Sequence, residues 1–310
     1  MKIILATQVA SEVEPRLPPD AQVVYVEKDG SFEGDVSDAE VFMIWGAPDV
    51  AFDTVLEAAP HLRWMHTPSA GIDHLLTPAV RARSNIVFTN SPGLHAIPIA
   101  ESVLAFMLSH ARQLPELRAA QAERRWIAPD LHELYAQTLL IIGLGGIGQA
   151  IAARAAAFGM RVWGSRRTPQ AMPGVEQVVG VNGWRDLLPA ADYVVIAAPL
   201  TAETQGMFDA SALRAMRSSA YLINIARGAI IDEAALLTAL QAGWIAGAAL
   251  DAFSVEPLPP DSPFWTLPNV IVTPHCTWSS PRMRERAAEL FLDNLARYRQ
   301  GAALRHVVYP

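Results

Sequence analysis

Three residues able to bind carboxylates or move protons follow three apolar runs in this chain. Arg227 comes directly after YLINIA, Glu256 stands five residues beyond Asp251 in DAFSVEPLP, and His275 follows VIVTP. Histidine exchanges protons near neutral pH, a glutamate on its other ring nitrogen favours the imidazolium, and arginine grips a carboxylate while polarising a neighbouring carbonyl. Singly, each has a plain explanation. Arg227 pairs with a surface acid, Glu256 is solvated, and His275 is a satisfied core histidine. Together, beside a nicotinamide, they form a set that reduces a 2-oxo acid. They are separated by 29 and 19 residues, and an open α/β sheet gathers such strand-end residues at one crevice.

A cofactor for that chemistry is implied by LLIIGLGGIGQAIAARAAAFGMRVWGSRR, from Leu139 to Arg167. Leu139 to Ile142 read as a strand covered on both faces. Gly143 permits a tight turn, Gly145 lets backbone approach a pyrophosphate, and Gly148 lets the following helix pack closely. That helix opens its N-terminus toward phosphate and packs through Ile147, Ile151 and Ala155. A GxGxxG alone also marks turns that bind nothing; here the strand, helix and second strand all fall in place for a dinucleotide-binding βαβ unit. NAD-selective sites carry an acid about twenty residues past the first glycine. Ser165, Arg166 and Arg167 occupy that place, with no acid between Gly148 and Glu176. A hydroxyl and two guanidinium groups suit a 2′-phosphate, so NADP(H) is expected over NAD(H). The other reading of the pair is a solvated basic turn.

Two series of strand-like runs must position these groups. The first holds Lys2 to Thr7, Gln22 to Val26, Val41 to Trp45, Leu62 to Thr67 and Ile86 to Asn90. The second holds Leu139 to Ile142, Arg161 to Gly164, Tyr193 to Ala198, Tyr221 to Ala226, Ile245 to Leu250 and Val270 to Thr273. Strands alternating with helices give parallel sheets, so two α/β domains are expected. The spans are 1–92 with 282–310, and 93–281. After Asn90-Ser91-Pro92-Gly93, Pro98 is expected to open a helix with Glu101 in its first turn. A linker follows from Pro115 to Asp130, and a last helix from about Arg282 to Gln300 returns toward the first domain.

Composition narrows the class. The 310 residues are 51% hydrophobic and 18% charged, with net charge −7 and a pI near 5.6, so a general nucleic-acid or anionic-membrane surface is not expected. A single cysteine, Cys276, leaves no disulfide framework and no cysteine-based metal cluster. MKIILATQVA runs straight into Glu12 and Glu14 and reads as a first strand with no signal peptide. Gln149 and Arg154 interrupt the longest apolar stretch, so no membrane span is expected. On these grounds a cytoplasmic location is expected.

Further motifs accompany these: SAGIDHL at Ser69, Ala100-Glu101, APLTAET at Ala198, INIARG, ALDAFSVEPLP and TPHCT. On them the chain resembles, over essentially its whole length, the D-isomer-specific 2-hydroxyacid dehydrogenase family and its glyoxylate/hydroxypyruvate reductase-like members. The resemblance implies two Rossmann-like or flavodoxin-like parallel-sheet domains with an interdomain active-site cleft. It implies NAD(P)H-dependent reduction of 2-oxo acids such as glyoxylate or hydroxypyruvate to D-2-hydroxy acids. His275 would be the general acid, Glu256 would tune it, and Arg227 would bind substrate. Ser69, Ala70 and Gly71 match the loop that receives the substrate carboxylate, and Asp251 the residue near the nicotinamide carboxamide. Gly146, Ile147, Ala198, Pro199, Thr204, Ile225 and Ala226 match the remaining cofactor wall. A homodimer is expected around Pro98 to Leu114 and the arm through Trp126.

The departures matter too. Members that use NAD carry an acid where Ser165 stands. Trp278 follows His275 closely where smaller residues are common; it and Trp45 are either walls of the substrate pocket or ordinary packing. Formate dehydrogenases pair the histidine with Gln, unlike Glu256. A dinucleotide-sensing, corepressor-like protein on the same fold is the alternative, and the intact Arg227, Glu256 and His275 set argues against it.

Overall fold

Runs such as KIILA and TLLII bury both faces only inside helix-covered sheets, and the computed structural model places each in a parallel sheet. The structure describes residues 1–45, 49–69, 72, 75–83 and 85–309, and the backbone alone at 49–51 and 309. Met1–His95 with Ser280–Pro310 form one compact unit, and Ala96–Ser279 form another. The division falls at 95/96 and 279/280, against the expected 92/93 and 281/282. Local turns explain the offset: Leu94 N–H donates to Ser91 O, and a His95 ring nitrogen lies 3.2 Å from Pro68 O, both within the first unit. Ser279 N–H bonds Cys276 O in the second.

In the first unit the strands are β1 (Lys2–Ala6), β2 (Gln22–Val26), β3 (Val41–Met43), β4 (Trp64–His66) and β5 (Val87–Thr89). The second holds β6 (Thr138–Ile142), β7 (Arg161–Ser165), β8 (Gln177–Val179), β9 (Tyr193–Ile196), β10 (Tyr221–Asn224), β11 (Gly247–Leu250) and β12 (Val270–Val272). The returning chain adds β13 (Val307–Tyr309) to the first. The sheet orders are β13-β5-β4-β3-β1-β2 and β12-β11-β10-β9-β6-β7-β8. All pairs are parallel except β13 on β5. Among the described residues the α-helices of six residues or more are α1 (Asp49–Ala58), α2 (Ala96–Ala111), α3 (Leu114–Ala122), α4 (Gly146–Ala157), α5 (Ala210–Ala215), α6 (Glu233–Gln241) and α7 (Met283–Arg299).

Some expectations are corrected. Helix α2 starts at Ala96, so Pro98 sits inside its first turn and Glu101 beyond it. Half of the expected linker is the helix α3, with Pro115 at its start. Several strands end one or two residues early, releasing Trp45, Thr67, Ala198, Ala226 and Thr273 into the loops at the carboxyl edges. Among the described residues no helix is long and apolar enough to cross a membrane.

Helix α7 belongs to the first unit, where Phe291 stacks on Trp64 at 5.2 Å and Tyr298 at 5.6 Å between ring centroids. Beneath this stack lies a string of buried polar groups. Trp64 Nε1 donates to Thr89 Oγ1 at 2.8 Å, and that hydroxyl lies 2.7 Å from His66 Nδ1. His66 Nε2 lies 3.1 Å from Ser91 Oγ, whose hydroxyl donates to Thr67 O at 3.2 Å. One assignment serves every group: Thr89 donates to Nδ1, and Nε2–H donates to Ser91. His66 is therefore neutral, and burial pushes its pKa from 6.5 down to about 3, with nearby His306 adding to the shift.

Candidate active site

Strands β10, β11 and β12 are neighbours and parallel, with Asn224 beside Leu250 and Leu250 beside Val272. Their carboxyl ends therefore share one edge, and Arg227, Glu256 and His275 all leave the sheet there. Two devices bind these loops together. A Cβ on Gly228 would lie 2.0 Å from Phe253 C and 2.1 Å from Ser254 N, so only glycine lets the β10 exit rest on the β11 exit. Glu233, in the first turn of α6, accepts from Ser254 N–H at 2.7 Å. Buried Asn224 shapes the turn around Arg227: its Oδ1 accepts from Ala226 N–H and its Nδ2 donates to Arg227 O, both at 3.0 Å.

Arg227 is exposed, and its Nη1 donates to Ala226 O at 2.7 Å. Among the described residues no carboxylate pairs with it. Its remaining N–H groups offer a fork matched to a carboxylate. Glu256 links the other two loops: Oε1 accepts from Phe253 N–H at 2.9 Å, and Oε2 lies 2.8 Å from His275 Nδ1. This contact assigns the proton on Nδ1 and frees Nε2 for exchange with a bound molecule. The two side chains are 35% and 37% exposed, open to a ligand yet partly screened from water. Trp278, 42% exposed, donates its indole N–H to His275 O at 2.7 Å. It is tied to the histidine loop, neither a core residue nor a free one. Asp251 is buried and accepts from Thr273, Cys276 and Thr277 on the same loop.

On the same unit the glycine turn has the shape a pyrophosphate needs. Gly143 has φ of 104°, and a Cβ on Gly148 would lie 2.2 Å from Gly143 O, so α4 starts in backbone contact with the turn. Gly145 and Gly146 are exposed, and Gly145 caps α4 with no side-chain hydrogen bond. The first-turn N–H groups are left for an anion, where a Cβ on Gly145 would meet nothing within 4 Å. Ile147 packs against the β6 core. Buried Ser165 ends β7, and its carbonyl accepts from Gly143 N–H at 3.1 Å and Leu144 N–H at 2.9 Å. Arg166 is half-buried with Nη1 near Met172 Sδ, and Arg167 is exposed. Sequence reasoning missed Glu203, the acid of APLTAET. The Thr201 hydroxyl first, and the Arg167 charge more weakly, hold its carboxyl below the usual range. Thr204 closes that same loop, its hydroxyl donating to Pro199 O and accepting from Thr201 N–H, each at 2.7 Å. Ala198, Ile225 and Ala226 are buried at the exits of β9 and β10.

Ser69 and Trp45 belong to the first unit. Ser69 N–H donates to Thr67 Oγ1 at 3.2 Å, one step beyond the His66 string, and Trp45 packs on that unit's core. Ala70 and Gly71 lie outside the described residues. A cavity of about 520 Å³ in the second unit is lined by His110, Tyr193, Tyr221 and Val270. Tyr193, Tyr221 and Val270 begin their strands and His110 lies in the last turn of α2, so the cavity is at the end of the sheet opposite Arg227 and His275.

Residues 104–277 match the family described as D-isomer specific 2-hydroxyacid dehydrogenase, NAD binding domain. Glyoxylate/hydroxypyruvate reductase B of Citrobacter koseri is 34% identical over 96% of this chain and 90% of its own length. A D-isomer specific 2-hydroxyacid dehydrogenase family protein of Aeromonas salmonicida superposes with TM-score 0.87 at 33% identity, covering 99% of this chain and 98% of its own. An NADPH-dependent glyoxylate/hydroxypyruvate reductase of Sinorhizobium meliloti, solved with NADP and sulfate, superposes with TM-score 0.83 at 30% identity, covering 99% and 98%.

Proposed function

The chain belongs to the D-isomer specific 2-hydroxyacid dehydrogenase family, and on that premise we propose that it reduces a small 2-oxo acid to the D-2-hydroxy acid with NADPH preferred. Glyoxylate and hydroxypyruvate are the first candidates, the substrates named for the relatives from Citrobacter koseri and Sinorhizobium meliloti. The observation that carries the reading is the 2.8 Å Glu256–His275 pair on the sheet edge that also presents an exposed Arg227.

The Gly143–Gly148 turn would hold a reduced nicotinamide dinucleotide, which when bound would supply the hydride. Arg227 holds the substrate carboxylate and draws charge toward the neighbouring carbonyl oxygen. His275 gives its Nε2 proton to that oxygen as the alkoxide develops, and Glu256 keeps Nδ1–H oriented and stabilises the imidazolium beforehand. In oxidation the same nitrogen takes the proton back. Arg166 and Arg167 would receive the 2′-phosphate of NADPH beside Ser165.

The protein works as a homodimer through α2 and the arm beyond it. The support is two exposed apolar side chains at either end of that arm, Leu114 50% and Trp126 99% exposed. A monomer mass by light scattering would contradict that part.

Turnover of NADPH with glyoxylate, hydroxypyruvate, pyruvate and acetaldehyde tests the whole. The expected result is reduction of the acids to D products, with acetaldehyde poorly used because it lacks a group for Arg227. Equal efficiency on pyruvate and acetaldehyde, or an L product, would refute it.

A further inference from the structure

Asp251 follows the last residue of β11, and its backbone N–H is fixed by Asn224 O at 3.0 Å. Its side chain is 1% exposed. Oδ1 accepts from Thr273 Oγ1 at 2.6 Å and Cys276 N–H at 2.9 Å. Oδ2 accepts from Thr277 N–H at 3.2 Å and from the Thr277 hydroxyl. Four donors saturate the carboxylate, and every one comes from the five residues centred on His275. Bonds to an ionised acceptor are the strong kind, more so when buried.

His275 itself has φ of 49°, left-handed backbone that a residue with a Cβ avoids unless its surroundings impose it. Its N–H is turned back on Thr273 O at 3.0 Å, and Thr273 N–H is in turn held by Leu250 O. Donors to Asp251 thus lie on both sides of the strained residue, at 273 before it and at 276 and 277 after it. Without them the left-handed turn keeps only local bonds, the His275 N–H on Thr273 O and the Trp278 indole on His275 O, and the ring would be free to leave Glu256.

We infer that Asp251 is a positioning residue for the reaction, clamping the Thr273–Thr277 loop so that His275 meets Glu256 and the substrate oxygen. This rests on the reading of His275 as proton donor, and it differs from a role for Asp251 in binding the cofactor. Asparagine would keep the shape but present an amide N–H₂ to two of the four donors, leaving them facing another donor.

The test compares Asp251→Asn, His275→Ala and the double variant with the parent enzyme. Asp251→Asn is expected to lower kcat by about a hundredfold, within the range for loss of a general acid, while the NADPH dissociation constant from fluorescence titration stays within about threefold. Placed on His275→Ala, the same substitution should cost no more than about twofold, because a residue acting through His275 has nothing left to position. Hydrogen exchange should show the Cys276 and Thr277 amides opening about tenfold faster than in the parent, with β11 and β12 unchanged. A weakened NADPH constant with kcat kept, a loss that multiplies in the double variant, or parent-like exchange would each overturn the clamp. If Asp251→Asn does not fold, Thr277→Val removes one donor and leaves the carboxylate, with a smaller loss of the same pattern expected. Absence of turnover in the parent refutes the reductase reading alone, since the exchange comparison still decides the clamp.

Discussion

Acidifying the protein should destabilise it through His66, by an amount fixed by its burial. The imidazole is completely enclosed, accepts at Nδ1 and donates at Nε2, so the folded state holds it neutral down to about pH 3 against 6.5 when unfolded. A depressed histidine keeps its full contribution above pH 6.5 and loses it as pH falls toward 3, because only the unfolded chain takes up the proton in that window. Each unit of pH is worth about 1.4 kcal/mol, so the loss between pH 7 and pH 5 is roughly 2 kcal/mol. Other groups titrate over this range, and the variant His66→Gln removes only this one. Urea unfolding followed by tryptophan fluorescence at both pH values gives the needed comparison. The parent should lose about 2 kcal/mol more than His66→Gln on going from pH 7 to pH 5. Equal losses would show that the enclosed string does not hold His66 neutral.

Other outcomes follow from the site. His275→Ala should cut turnover by about 10² to 10⁴ with NADPH binding retained, checked by steady-state kinetics beside fluorescence titration. Arg166→Ala combined with Arg167→Ala should raise KM for NADPH by roughly tenfold or more and leave that for NADH within about twofold; equal effects would mean a solvated basic turn. Gly228→Ala forces backbone apart at Phe253, because its Cβ would meet Phe253 C at 2.0 Å. Loss of about 1–3 kcal/mol and of most turnover is expected, and an unchanged melting temperature would show that the two loop exits do not touch.

The candidate site was readable because its side chains sit directly after apolar runs long enough to be recognised as buried strands. Arg227, Glu256 and His275 needed only the parallel topology to be placed on one edge. What escaped was short or held by partners far along the chain. β8 is a half-exposed strand, Gln177–Val179, with no alternation to reveal it, and β13 is an edge defined by its partner β5. Helix α3 carries Pro115 and a mixed surface, so its pattern resembles a linker. The resemblance puts Asp251 near the nicotinamide carboxamide, and the sequence does not show that its four hydrogen bonds go to residues more than twenty positions away. The signal available was the pair of threonines, Thr273 and Thr277, flanking His275; hydroxyls so placed serve a buried acceptor.

The first unit is written in two pieces, Met1–His95 and Ser280–Pro310, with the second unit between them. Synthesis on a ribosome therefore reverses the order of completion. Ala96–Ser279 emerges as one stretch carrying every strand of its own sheet and can close as soon as it is clear of the tunnel. The part begun first must wait. Until residues 283–309 appear, Trp64 has neither Phe291 nor Tyr298 over its ring, and β5 shows an unpaired edge where β13 will lie. That interval, roughly ten to forty seconds at 5–20 residues per second for the intervening unit, is when a holding chaperone has most to bind.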